Sequence, residues 1–245
     1  MDVALSLSAF PAVPPEALTG GAPIVILAPH PDDESLGCGI LLAHAFGHAG
    51  ALVVCMTDGA ASHAAQGGWT GRRLSDLRRA ELARAVGHLG GAPEDVAWLG
   101  HPDGWLGARD RDAVARQVAD LCRARGARTL FATSPDDHHE DHRSTADIAR
   151  RAVALLPGVA LYSYPIWSRW DDPDLSTRIA ARHPVRLPPG PHGAVKRAAI
   201  AAHGSQLGTV GAGGPGGAIL PKGFVESFAA TPELYWRDPE AGAQR

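Results

Sequence analysis

Five short apolar runs, most of them followed by a stretch with helical spacing, constrain this chain more than any other feature. The runs are Pro23–Ala28, Ala51–Thr57, Val96–Leu99, Thr129–Thr133 and Val159–Tyr164. Rich in β-branched residues and without polar alternation, they read as strands buried on both faces. Between them, Gly37–Gly47, Gly71–Leu89, Arg111–Arg125 and Thr145–Leu156 read as helices. In the second of these, Leu74, Leu77, Leu82, Ala85, Val86 and Leu89 share one face, and Gly90-Gly91 closes it. Strand–helix alternation predicts a single α/β domain, Rossmann-like and doubly wound, with a mostly parallel sheet and helices on both faces.

Outside that core the pattern weakens. Residues 1–22, with Pro11, Pro14 and Pro15 and no clear period, are expected to form a peripheral N-terminal arm; residues 23–245 form the one domain. After Pro165 the chain is expected to add an edge strand at His183–Leu187 and a helix at His192–His203. A mobile glycine-rich loop is expected at Gly208–Gly217.

Composition excludes some partners. The net charge is −3 and the arginines form no run, so nothing favours nucleic acid or an anionic surface. The longest apolar runs stay below about ten residues, too short to span a bilayer. Cys38, Cys55 and Cys122 are few, odd in number and far apart, which fits buried thiols in a reducing compartment rather than a disulfide framework. No secretion signal is read at the start, and a cytoplasmic protein is expected.

The chemistry concentrates in two segments. Pro29-His30-Pro31-Asp32-Asp33-Glu34-Ser35 begins where the first strand ends. Pro31 stiffens the turn and biases His30 toward extended backbone. A capped helix start explains an acid here. It leaves the histidine and the remaining acids without a reason, whereas a divalent cation offsets that many like charges. The second segment, Asp136-Asp137-His138-His139-Glu140-Asp141-His142, follows the fourth strand. In an open α/β sheet both segments reach the carboxyl edge of the strands, where ligands bind. Together they predict a metal site. Imidazole and carboxylate donors suit zinc, with Fe²⁺ the alternative, and the absence of cysteine donors argues against a closed structural site.

The two motifs resemble those of the PIG-L/LmbE-like deacetylases, whose usual forms are AHPDDE and HPDH. Here Pro29 replaces the alanine, Glu140 replaces the proline, and Asp137 stands where some members carry a tyrosine. Thr57-Asp58-Gly59, the Arg78/Glu81 pair and Val195–Gln206 add weaker likenesses. The resemblance implies His30, Asp33 and His142 as zinc ligands and Asp32 as general base. It implies that a protonated His139 assists the tetrahedral intermediate and that Asp141 orients His139. Arg78 and Asp103 are similar to family residues that contact substrate. The implied activity is hydrolytic removal of the N-acetyl group from an N-acetylglucosamine-type sugar or its conjugate by metal-activated water. Metal-dependent phosphoester hydrolysis and an inactive zinc-containing sugar-binding module are the alternatives. Trp105, Trp167 and Trp170 are candidates to stack on a sugar face.

Overall fold

The computed structural model describes residues 9–63, 69 and 71–238; residues 1–8 of the expected arm and the last residues of the expected domain, 239–245, lie outside the described residues. The first half contains α1 (Glu16–Thr19), β1 (Ile24–Ala28), α2 (Asp33–Phe46), β2 (Ala51–Thr57), α3 (Gly71–His88), β3 (Val96–His101) and α4 (Arg111–Arg125). Then come β4 (Thr129–Thr133), α5 (Glu140–Ala154), β5 (Ala160–Tyr164), α6 (Trp167–Asp171), α7 (Leu175–Ile179) and β6 (Val185–Leu187). The chain closes with α8 (Gly193–Ala201), α9 (Gly204–Leu207), α10 (Phe224–Ala229) and β7 (Glu233–Arg237).

The strands form one seven-stranded sheet in the order β3-β2-β1-β4-β5-β7-β6. β3 through β5 pair in parallel, and β7 runs antiparallel to both β5 and β6. Side chains alternate across the sheet, so β1 feeds two cores. Ile24, Ile26 and Ala28 pack with Leu36, Ile40, Leu82 and Val86 on one face. Val25 and Leu27 pack with Val114, Val118 and Ile148 on the other. Each fully buried aliphatic side chain of this kind contributes roughly 1.5–3 kcal/mol. The chain winds outward from β1 to β3 and then returns to β4, so strand order reverses between β1 and β4. The crevice at the carboxyl ends of those strands is where this architecture binds ligands.

Several boundaries differ from the sequence reading. α2 starts at Asp33 rather than Gly37, and its glycines lie inside the helix because of packing. A Cβ on Gly37 meets the Tyr164 ring at 2.3 Å, and one on Gly39 meets Lys196 at 2.9 Å. α5 starts at Glu140 rather than Thr145, so the acid-rich segment is the helix start itself. β7 has no counterpart in the sequence reading. Its Glu233 is buried and accepts from Lys196 Nζ (2.8 Å), Ile40 N (2.7 Å) and Leu41 N (3.1 Å), pinning β7 against α2 and α8. Of the arm, residues 9–22 lie on the body: Val13 N donates to Arg186 O (3.0 Å), Arg186 N donates to Pro11 O (2.9 Å), and Leu18 joins the core. Covering β6 in this way protects a sheet edge from stray pairing. Between α9 and α10 no helix or strand forms, in keeping with a glycine-rich loop. Among the described residues no helix is long and apolar enough to cross a membrane.

Candidate active site

The turn after β1 presents its acids outward. Asp32 occupies the N-cap position of α2, yet its side chain makes no capping hydrogen bond. The Glu34 carboxylate instead reaches back and accepts from Asp32 N at 2.9 Å. The Asp32 carboxylate therefore stays available at the pocket wall, 3.4 Å from Arg78 Nη2. Burial pushes its pKa up to about 7 against the pull of Arg78, with Asp33 adding to the rise. Burial also opposes ionisation of Asp33, but His142 and His30 outweigh it and hold that carboxyl well below the usual range.

The turn after β4 uses its acids the other way. Asp137 is buried, and its Oδ2 accepts from His142 Nδ1 at 2.9 Å. Both its oxygens also take backbone N–H groups from the start of α6: Ile166 (3.1 Å), Trp167 (3.3 Å) and Ser168 (3.0 Å). Asp141 is fully buried and accepts from Gly104 N (2.7 Å) and Leu106 N (3.0 Å). Its Oδ2 also lies 3.2 Å from His30 Nε2, as does Asp103 Oδ1. The expectation that the Asp141 carboxylate orients His139 is therefore not met. It steadies His30, because the N–H groups of the Gly104–Leu106 turn draw it to that side. His139 caps α5 instead, its Nδ1 accepting from Asp141 N at 3.2 Å. Burial and the neighbouring His30 and His142 push the His139 pKa down to about 4. With Nδ1 accepting from Asp141 N, the hydrogen that a neutral His139 ring has to donate is on Nε2.

These contacts orient three rings onto one spot. The centroid of the His30 ring is 4.6 Å from that of His139 and 5.3 Å from that of His142. Asp33 Oδ2 lies 3.4 Å from His30 Nδ1 and 3.4 Å from His142 Nε2. Donor atoms around a four-coordinate zinc stand about 3.3–3.4 Å apart when its bonds are 2.0–2.1 Å. His142 Nε2 is buried without a hydrogen-bond partner, and its other nitrogen is tied to a carboxylate, the arrangement that aims an imidazole lone pair at a cation. His30 is held similarly, its Nε2 against Asp103 and Asp141 and its Nδ1 beside Asp33; the charge of these carboxylates, which favours a cation here, raises the His30 pKa against the effect of burial. The residues present fit a divalent metal. His139 also brings a ring nitrogen within 4.8 Å of those of His30 and His142. His30, Asp103 and Asp141 satisfy the same distance, but the Asp141 oxygens already accept from two backbone N–H groups.

Around this cluster is a cavity of about 260 Å³. Ser62, Arg78, Asp103 and Gln206 contribute polar lining, and Leu36, Ile166, Trp167 and Phe224 contribute apolar lining. Arg78 Nη1 donates to Gly59 O (3.0 Å) and Nη2 to Pro31 O (2.7 Å), so much of its donor capacity is used on the main chain. Asp103 faces the pocket while its Oδ2 accepts from Ala61 N at 3.0 Å. Trp167 lines the cavity; Trp105 is 65% exposed and not part of its lining, and Trp170 packs on Phe224. Sequence reading marks Asp137 only as a departure from a family tyrosine. Its location five residues before His142 is the available signal, but the closure of residues 166–168 onto it is tertiary.

Residues 25–153 match the family model PIG-L, described as GlcNAc-PI de-N-acetylase. None of the curated proteins compared matches the chain by sequence. Among solved structures, the chain is similar to N,N'-diacetylchitobiose deacetylase from Pyrococcus horikoshii, with a TM-score of 0.64 and 20% identity over 92% of this chain and 86% of that one. The conserved protein TT1542 from Thermus thermophilus aligns with a TM-score of 0.62 and 26% identity over 88% and 94%. The zinc-inhibited form of teicoplanin deacetylase Orf2 aligns with a TM-score of 0.65 and 16% identity over 89% and 99%.

Proposed function

The chain belongs to the PIG-L family, and from that membership and the geometry of its site we propose that it is a zinc-dependent hydrolase that removes the N-acetyl group from an N-acetylglucosamine-type sugar or its conjugate. The observation that carries the reading is the convergence of Asp33 Oδ2 with His30 Nδ1 and the unpartnered His142 Nε2. Those three residues hold the metal, and their nitrogen and oxygen donors suit zinc first and Fe²⁺ second. A metal there supplies Lewis acidity, acidifying a water and polarising the amide carbonyl.

Asp32 acts as general base. Its carboxyl, free of capping and with a pKa near 7, takes a proton from water as the water oxygen attacks the carbonyl carbon. His139 donates a hydrogen bond from Nε2–H, without giving up the proton, to the oxygen that gains charge. The C–N bond then breaks, and the proton held by Asp32 returns to the departing amine, leaving acetate and a free amino sugar. Asp103 and the remaining donors of Arg78 meet the sugar hydroxyls, and Trp167 offers a flat apolar face to the ring. Three buried free cysteines fit a cytoplasmic setting.

The test is acetate release from N-acetylglucosamine and a panel of its glycosides, with metal content measured on the same sample. Release that vanishes on chelation and returns with zinc supports the reading. Asp32→Ala is expected to keep the metal and lose about 10²–10⁴-fold in turnover. Phosphate release from phosphoesters in place of acetate release replaces the reading, and metal binding without turnover of either class favours a sugar-binding module.

A further inference from the structure

Asp32 has φ 135° and ψ −29°, and only His183 among the other described non-glycine residues has a positive φ. Such backbone persists only where its surroundings over-determine it. Here the surroundings come from two distant segments. Asp32 N donates to Glu34 Oε2 at 2.9 Å, and Glu34 Oε1 takes His203 Nε2 at 2.9 Å. Glu34 and His203 are both buried, and His203 has no place in the chemistry above. On the other side, Arg78 Nη2 holds Pro31 O at 2.7 Å. Ser205, two residues beyond His203, donates through its N (2.8 Å) and Oγ (2.6 Å) to Glu81, one turn along α3 from Arg78. The short segment from His203 to Ser205 thus braces both sides of the Asp32 turn. This also gives a use to the Arg78/Glu81 pair and the His203–Gln206 segment, which the proposed reaction leaves largely unexplained.

We propose that His203 and Glu34 are positioning residues that hold the Asp32 turn in its left-handed conformation and so aim the Asp32 carboxylate into the pocket. The role in turnover rests on the reading of Asp32 as general base; the role in backbone geometry does not. Among the described residues the His203 ring hydrogen-bonds to Glu34 and Ser35, and neither bond is to Asp32 or to the residues around the proposed metal.

The experiment separates these two levels. Melting of metal-free Asp32→Ala and Asp32→Gly is compared with His203 intact and with His203→Leu. With His203 intact, the glycine variant is expected to melt about 2–4 °C above the alanine variant, because glycine removes the strain. With His203→Leu the turn relaxes and the order reverses, since glycine then only loosens the unfolded chain. An unchanged glycine–alanine difference overturns the proposal. Should His203→Leu not fold, His203→Asn, whose amide stops short of Glu34, takes its place. In the otherwise intact enzyme, His203→Leu is expected to lower kcat about 10–100-fold with KM and metal content kept. His203→Gln, whose amide nitrogen takes the place of Nε2, is expected to restore most of it. A fall in metal content or a rise in KM with kcat unchanged overturns the positioning role. If no protein, the unmodified one included, releases acetate, the deacetylase reading fails while the melting comparison still decides the backbone role.

Discussion

The turn after β1 and the turn after β4 meet at one crevice, and both bring acids and histidine, yet they divide the work in opposite ways. After β1 the acids Asp32 and Asp33 face the cavity, while Glu34 turns back to hold backbone. After β4, His139 and His142 face the centre and the acids Asp137 and Asp141 stand behind the rings of His142 and His30. The difference lies in the donors each carboxylate meets. Asp137 and Asp141 are each surrounded by main-chain N–H groups of a neighbouring turn, which satisfy their charge and keep them out of the pocket. Among the described residues Asp32 meets no such group through its side chain, and burial leaves it a weak acid.

The largest expected break in this symmetry comes from the same substitution made in each turn. Asp137→Ala strands the His142 Nδ1 hydrogen and three main-chain N–H groups, those of Ile166 and Ser168 buried and that of Trp167 half-buried. With each orphan costing about 1–3 kcal/mol, a fall in Tm of roughly 10 °C or more is expected by calorimetry, with weakened metal binding. Asp32→Ala is expected to leave Tm within about 2 °C and to act on turnover. A thermally silent Asp137→Ala removes the supporting role given to that acid.

A smaller effect distinguishes two jobs for Asp141. Asp141→Asn loosens His30 and is expected to weaken metal affinity about 10–100-fold, measured by competition with a chelator. Unchanged affinity with reduced turnover returns Asp141 to the service of His139.

The smallest effect is a pH dependence. The folded pKa of Asp32 is raised to about 7 from the ordinary carboxylate value, so folding favours its protonated form. Its contribution to stability is full below the unfolded pKa and is lost as pH rises through about 7. Asp33, Asp103 and Asp141 are shifted the other way, so their contributions are lost as pH falls toward their folded values. In metal-free protein, the Tm of the unmodified chain minus that of Asp32→Asn is expected to decline between pH 5.5 and 8. A flat difference across that window contradicts the assignment to Asp32.

Much of this is legible in the sequence alone. Apolar runs without alternation announced strands buried on both faces, and their order announced a parallel sheet, because each run is a local consequence of burial. The clusters around His30 and His142 were visible because so many ionisable groups in two short segments have few explanations other than a cation. What stayed hidden depends on residues remote in sequence. Gly37 reads as a helix start in the sequence, whereas in the fold it lies inside α2 with Tyr164 against it, as Lys196 lies against Gly39. Strand β7 depended on a buried Glu233 whose partner is Lys196. The duties of Asp137, Asp141 and His203 were set by N–H groups and carboxylates that only the folded chain brings within hydrogen-bond distance. By itself the sequence determined which elements form and which residues carry charge, since propensity and hydrophobic pattern act over a few residues. The tertiary structure alone decided which carboxylate is left open at the pocket and which supports a ring, because a buried acid takes its place from whatever donors the fold sets around it.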